Sequence, residues 1–160
     1  MPLPVPSVTV KNLEAAFAGE SMAHMKYRHF ARLARAAGDI PTAEIFESTA
    51  AQEVEHALGH LDLLYPASRT TPVEALKIAI EGETYEYTEM YPSFRHLAVE
   101  EGNLAAAGEF DGQIRESREH AEAFARTLDK AAKRFAALAK VEQRHAERYA
   151  AALERAQARS

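Results

Sequence analysis

The stretch Phe46-Glu47-Ser48-Thr49-Ala50-Ala51-Gln52-Glu53-Val54-Glu55-His56 decides how the chain is read. Glu53 and His56 stand three residues apart, so on a helix both side chains leave the same face. The pattern recurs as Phe135…Glu142-Gln143-Arg144-His145 at an offset of 89, again with seven residues between the phenylalanine and the glutamate. Two lone glutamates follow glycines, in Ala18-Gly19-Glu20 and Glu81-Gly82-Glu83, within segments that match from Leu13 and Leu76 at an offset of 63. Two helices with Glu-x-x-His and two with a single glutamate are the ligand set of a dinuclear carboxylate site inside a helical bundle. Chance alone gives about one Glu-x-x-His in a chain of this composition, so the placement of the pairs, not their number, carries the reading.

The rest of the sequence agrees with an all-α fold. Alanine, glutamate, arginine and leucine dominate and runs of β-branched residues are scarce, which favours helix. The first helix is expected over Lys11 to Ala37, ended by Gly38-Asp39-Ile40-Pro41, and the second over Thr42 to Leu64, closed by Tyr65-Pro66. Pro72 opens a third that runs to Glu101, with Pro92 predicting a kink because it lacks a backbone donor. From Leu104 to Gln157 the composition is helical, with Gly108 and Gly112 as weak points. An interior glycine costs a helix about 1 kcal/mol against alanine, so Gly19 and Gly82 beside candidate ligands predict a close approach of backbones. The expected architecture is an antiparallel four-helix bundle over residues 11–160.

The two offsets, 63 and 89, differ by 26, which places an inserted helical segment at about residues 104–128. Arg118-Glu119-His120-Ala121-Glu122-Ala123-Phe124 matches Gln143-Arg144-His145-Ala146-Glu147-Arg148-Tyr149 at an offset of 25, close to seven whole turns. An unbroken helix from Leu104 to Gln157 would measure about 80 Å and protrude from one bundle, so a homodimer with exchanged helices is expected. The alternative is a break near Thr127-Leu128-Asp129 that makes a fifth helix.

Composition narrows the chemistry. The chain has 160 residues and no cysteine, which excludes disulfides, thiolate metal sites and cysteine nucleophiles. Any metal must be held by carboxylate and imidazole, donors that suit iron or manganese. A net charge of -5, from 19 basic and 24 acidic residues, argues against a nucleic-acid partner. No stretch reaches the length of a membrane span. Met1-Pro2-Leu3-Pro4-Val5-Pro6-Ser7 has no basic start and reads as part of an extended arm over residues 1–10, not as a secretory signal, so the expected compartment is the cytoplasm.

The candidate metal ligands are therefore Glu20, Glu53, His56, Glu83, Glu142 and His145. Glu86, three residues after Glu83 where the first helix has Ala23, is a seventh. Glu116 follows Glu83 by the same 33 residues that separate Glu53 from Glu20, so Glu116, Glu119 and His120 compete with Glu142 and His145. Tyr27, Tyr85, Tyr87 and Tyr91 are candidate hydrogen-bond donors near the ions. His24, His29, His60 and His96 lack a glutamate three residues earlier and read as structural or surface histidines.

Phe17-Ala18-Gly19-Glu20, Glu53-Val54-Glu55-His56, Ala139-Lys140-Val141-Glu142-Gln143-Arg144-His145 and above all Glu81-Gly82-Glu83-Thr84-Tyr85-Glu86-Tyr87-Thr88-Glu89-Met90-Tyr91-Pro92 resemble the rubrerythrins. The resemblance implies a ferritin-like bundle with two iron ions that reduces hydrogen peroxide to water in oxidative-stress defence. It implies Glu53 and Glu142 as bridges, Glu20, Glu83 and His145 as terminal ligands, and Glu86 and His56 as groups that exchange on one iron during reduction. Tyr27, Glu86 and His56 are the expected catalytic residues. Without the four cysteines of a rubredoxin module, the chain is similar to the short, sulerythrin-like members, whose electrons come from a separate donor protein. Oxygen reduction with iron storage, or a metal-free interaction scaffold, are the rival functions. The match of flanking residues favours Glu142 and His145 over Glu116 and His120.

Overall fold

The computed structural model describes residues 7–157, all of them helix or short connection. The chain divides into two units, one through Thr70 and one from Thr71. Among the described residues no helix is long and apolar enough to cross a membrane.

The first unit is a hairpin of α1 (Val8–Ala36) and α2 (Ile40–Leu64). Helix α1 begins three residues earlier than the sequence suggests, because the Ser7 hydroxyl accepts a hydrogen bond from Val10 N at 3.2 Å and so caps it. Residues 8–10 of the expected extended arm are thus helical, Ser7 caps them, and residues 1–6 lie outside those described. Gly38, at φ 79°, turns the chain, and the Asp39 carboxylate accepts from Thr42 N at 3.2 Å to start α2. The seam between the helices is built from small residues: Ala31 on α1 meets a face of α2 carrying Ala43, Ala50 and Ala57, spaced two turns apart and all buried. Tyr27 and Phe30 close over Phe46 with ring centroids 5.8 and 5.6 Å away. The His24 ring N–H donates to the Ala50 carbonyl at 2.8 Å, a structural role as expected.

The second unit repeats this plan with one change. Thr71 and Glu74 form a reciprocal cap ahead of Pro72. Helix α3 (Pro72–Tyr85) passes through a π turn (Glu86–Met90) into α4 (Tyr91–Glu100). Gly102, at φ 73°, reverses the chain, and the Asn103 side chain accepts from Ala106 N to start α5 (Leu104–Gln157). Tyr91 and Phe94 close over Phe110 at 6.0 and 5.9 Å, and Ala107 and Ala121 are buried in the seam. Tyr27, Phe30, Gly38, Ala43, Phe46 and Ala57 therefore correspond to Tyr91, Phe94, Gly102, Ala107, Phe110 and Ala121, every pair at an offset of 64.

The π turn explains why that offset is 64 and not the 63 that holds from Leu13 and Leu76 to Glu20 and Glu83. Tyr91 N donates to the Glu86 carbonyl, five residues back. Such a turn houses one residue more than an α-turn. Pro92 has no N–H to give, so the helix ahead of it is freed from regular closure. The irregularity expected at Pro92 is thus a one-residue bulge just before it. The Thr88 hydroxyl donates to the Thr84 carbonyl at 2.6 Å inside the bulge.

Two further expectations change. Residues 104–128, read as an insertion, are the counterpart of α2: the offset of 64 maps Ile40–Leu64 onto them. The extra chain is instead the stretch beyond residue 128. Helix α5 runs on without a break at Thr127-Leu128-Asp129 or at Gly108 and Gly112, for 54 residues in all. A Cβ built on Gly19 or Gly82 meets nothing within 4 Å, so within this chain neither glycine serves a close backbone approach.

Candidate metal centre

In the first unit, the α1–α2 seam brings Glu20 against the Glu53–His56 pair. One ligand atom from each of the three lies within 4.8 Å of the others. The Glu53 side chain is 15% exposed and His56 59%, with His56 Nδ1 at 2.9 Å from Glu53 Oε2. Carboxylate below and imidazole at the rim are donors for a hard or borderline divalent cation.

The second unit gathers the corresponding groups. Glu83, in the last turns of α3, places Oε1 at 3.4 Å from His120 Nδ1 on α5. Its Oε2 is buried with no hydrogen-bond partner. Such an orphaned oxygen costs about 1–3 kcal/mol unless a donor or cation meets it, so this donor set fits a metal ion. Glu86 opens the π turn, and its Oε2 accepts from the Ser117 hydroxyl at 2.9 Å. Ser117 is 3% exposed. Tyr91 stands beside them: burial first, then the charges of Glu86, Glu83 and Glu109, push its hydroxyl above the ordinary tyrosine range, so it stays protonated.

Of the seven ligands expected from the sequence, the first unit assembles Glu20, Glu53 and His56, and the second presents Glu83 and Glu86 to α5. Glu142 and His145 are not brought to Glu83 within that unit. They are exposed on α5, and Glu142 lies about 33 Å along the helix beyond His120. His120 takes the position of His56, and Ser117 that of Glu53, both at the offset of 64. A fixed interval of 33 residues from Glu83 points to Glu116, which is exposed; the extra residue of the π turn brings Ser117, one place on, to Glu86 instead. The signal was there in Phe46…His56 against Phe110…His120. Tyr27 packs on Phe46 as Tyr91 packs on Phe110.

Helical hairpins that present glutamates and histidines from their seams define a ferritin-like, all-α class of metal protein. The rubrerythrin family model matches residues 11–128. The chain belongs to the rubrerythrin family. It is similar to rubrerythrin from Nitratidesulfovibrio vulgaris, 43% identical over 107 residues that make up 60% of this chain and 56% of that one. It is 37% identical to rubrerythrin from Porphyromonas gingivalis, over 71% of this chain and 62% of the other. Nigerythrin from N. vulgaris is 35% identical over 72% and 63%. The chain thus spans less than two thirds of the length of these relatives. A solved structure of nigerythrin in a mixed-valence state is 34% identical, covers 81% of this chain and 70% of its own, and has a TM-score of 0.38. The family match ends at residue 128, where the counterpart of α2 ends, so Glu142 and His145 fall outside it.

Proposed function

We propose that the chain is a di-iron oxidoreductase that reduces hydrogen peroxide to water with electrons from a separate donor protein. The observation that carries this is the convergence of Glu20, Glu53 and His56 to within 4.8 Å, in a chain of the rubrerythrin family. Glu20, Glu53, Glu83 and Glu86 would supply the carboxylates, and His56 and His120 the imidazoles. When bound, a ferrous pair supplies the two electrons that, with two protons, convert one peroxide to two waters.

The chain's own groups prepare for that chemistry. Four carboxylates balance the charge of two divalent ions. His56, far more exposed than the carboxylate it touches, has freedom to reorient, which suits an exchangeable ligand. Tyr91 keeps its proton at neutral pH and can donate a hydrogen bond beside Glu83 and Glu86, and Tyr27 occupies the equivalent position in the first unit. Manganese fits the same donors.

A homodimer belongs to the same reading. Past residue 128, α5 carries Phe135, Leu138, Tyr149 and Leu153 on one side, each more than half exposed, a stripe that a second copy would cover. A monomeric mass at micromolar concentration would refute this.

Anaerobic loading with Fe(II), then rapid mixing with peroxide or with oxygen, tests the activity. Two irons per chain oxidised far faster by peroxide support the proposal. Faster reaction with oxygen moves the reading to an oxidase or storage protein, and a chain that takes up neither iron nor manganese is a scaffold.

A further inference from the structure

The repeat makes the two halves of the ligand set comparable residue by residue, and they are not equal. Glu20 corresponds to Glu83 and His56 to His120, but Glu53 corresponds to Ser117. We infer that Ser117 occupies a metal-ligand position from which the carboxylate has been lost, so that the chain holds one of its two ions more weakly than the other. This rests on the di-iron reading above.

Three observations argue it. Ser117 is a buried polar residue of the seam, its hydroxyl on Glu86 at the start of the π turn, while in the first unit Glu53 stands by Glu20. A serine side chain is two bonds shorter than that of glutamate, and its hydroxyl is already spent on Glu86 Oε2 at 2.9 Å, so it neither reaches an ion beside Glu83 nor brings charge to it. Glu83 Oε2, the atom a neighbouring ligand would share an ion with, has no partner of its own. Glu86, which meets this hydroxyl, is the first residue of the π turn.

The consequences are chemical. The affinity of a site of oxygen donors for a divalent ion rises with the number of charged ligands and the rigidity of the site. The set has four carboxylates, enough to neutralise two divalent ions, and a glutamate at 117 would give five. The chain therefore takes up two divalent ions in unequal steps, and the weaker step belongs to the ion held by Glu83, Glu86 and His120.

Calorimetric titration of the metal-free full-length chain with Co(II) tests this without any turnover. The native chain should show two steps separated by at least about tenfold in affinity. Ser117→Glu should tighten the weaker step by about tenfold or more and leave the tighter one within about twofold. Ser117→Ala, which removes only the hydrogen bond to Glu86, should retain both steps. Should Ser117→Glu fail to fold, as judged by circular dichroism, Glu53→Ser gives the reciprocal test: it should lower the tighter step to the level of the weaker. Two equal steps in the native chain, an unchanged weak step in Ser117→Glu, or loss of a step in Ser117→Ala would overturn the inference while leaving the di-iron reading intact. So would loss of the weak step in Glu142→Ala, which would place the missing carboxylate on the far part of α5. No Co(II) bound by the native chain or any variant would overturn both.

Discussion

Gly19 and Gly82 sit immediately before Glu20 and Glu83 in the interiors of α1 and α3, where glycine is a poor choice. Alanine at either position adds a Cβ that meets nothing within 4 Å. The steric cost is then zero, and what remains is the gain from restricting the unfolded chain, about 0.5–1 kcal/mol per site. For a chain of this size, each substitution should raise Tm by about 1–4 °C. Gly38 gives the contrast. It also has open space, but its φ of 79° is left-handed, so Gly38→Ala should cost about 1 kcal/mol and lower Tm by a similar amount. Urea unfolding of the metal-free chain and its Gly19→Ala, Gly82→Ala and Gly38→Ala variants, with Co(II) uptake measured on each, reads both sign and function. Stabilisation with unchanged uptake is expected for the two helix positions. If Gly19→Ala destabilises, or lowers metal uptake, the glycine serves a close approach by something outside the single chain, and the reasoning fails.

The site and the caps lead to other expected outcomes. Glu142→Ala should leave iron occupancy unchanged while His120→Ala lowers it; the reverse pattern, measured by metal analysis after anaerobic loading, would return the ligand role to the far part of α5. Tyr91 has its hydroxyl pushed above the ordinary range, so its proton is bound more tightly in the folded state, and that contribution to stability is full below about pH 10 and lost as the pH rises further. In a spectrophotometric titration one of the six tyrosines should ionise late, and Tyr91→Phe should remove that late step. Asp39 has its carboxyl held below the ordinary range by the side chain and then the backbone N–H of Thr42. Its capping contribution is present above the unfolded value and lost as the pH falls through the lowered one, so Asp39→Ala should lower Tm at pH 7 by a few degrees and by much less below pH 3.

The helices were legible because their ends are written in short-range chemistry: Gly38 with Asp39, Tyr65-Pro66, Thr71-Pro72 and Gly102-Asn103 each close or open a helix through neighbouring atoms. The first half of the site was legible for the same reason, since Glu53 and His56 need only one helix face, and Glu20 needs only the seam across from it. The second half depends on register over a long interval, and there one residue decides. The π turn changes the offset from 63 to 64 without a glycine to mark it, and its cause, a proline two residues beyond the bulge, reads in sequence as a kink. Phe135 and Phe110 are equally good anchors for a Phe-to-His pattern. What separates them is which stretch of α5 lies along α3, and only tertiary packing settles that.

Because the aromatic clasp, the alanine seam and the left-handed glycine occur twice in one polypeptide, each half is a control for the other. Phe46→Ala and Phe110→Ala remove the same contacts from the same neighbours, Tyr27 with Phe30 and Tyr91 with Phe94. Any difference between such paired substitutions has few places to come from: the bulge, the serine, and the long continuation of α5. If the chain holds two ions as proposed, a selective pressure that tunes one can act on residues 86–90 and 117 while the other half holds still, so the two positions would be free to diverge in chemistry without the scaffold being rebuilt.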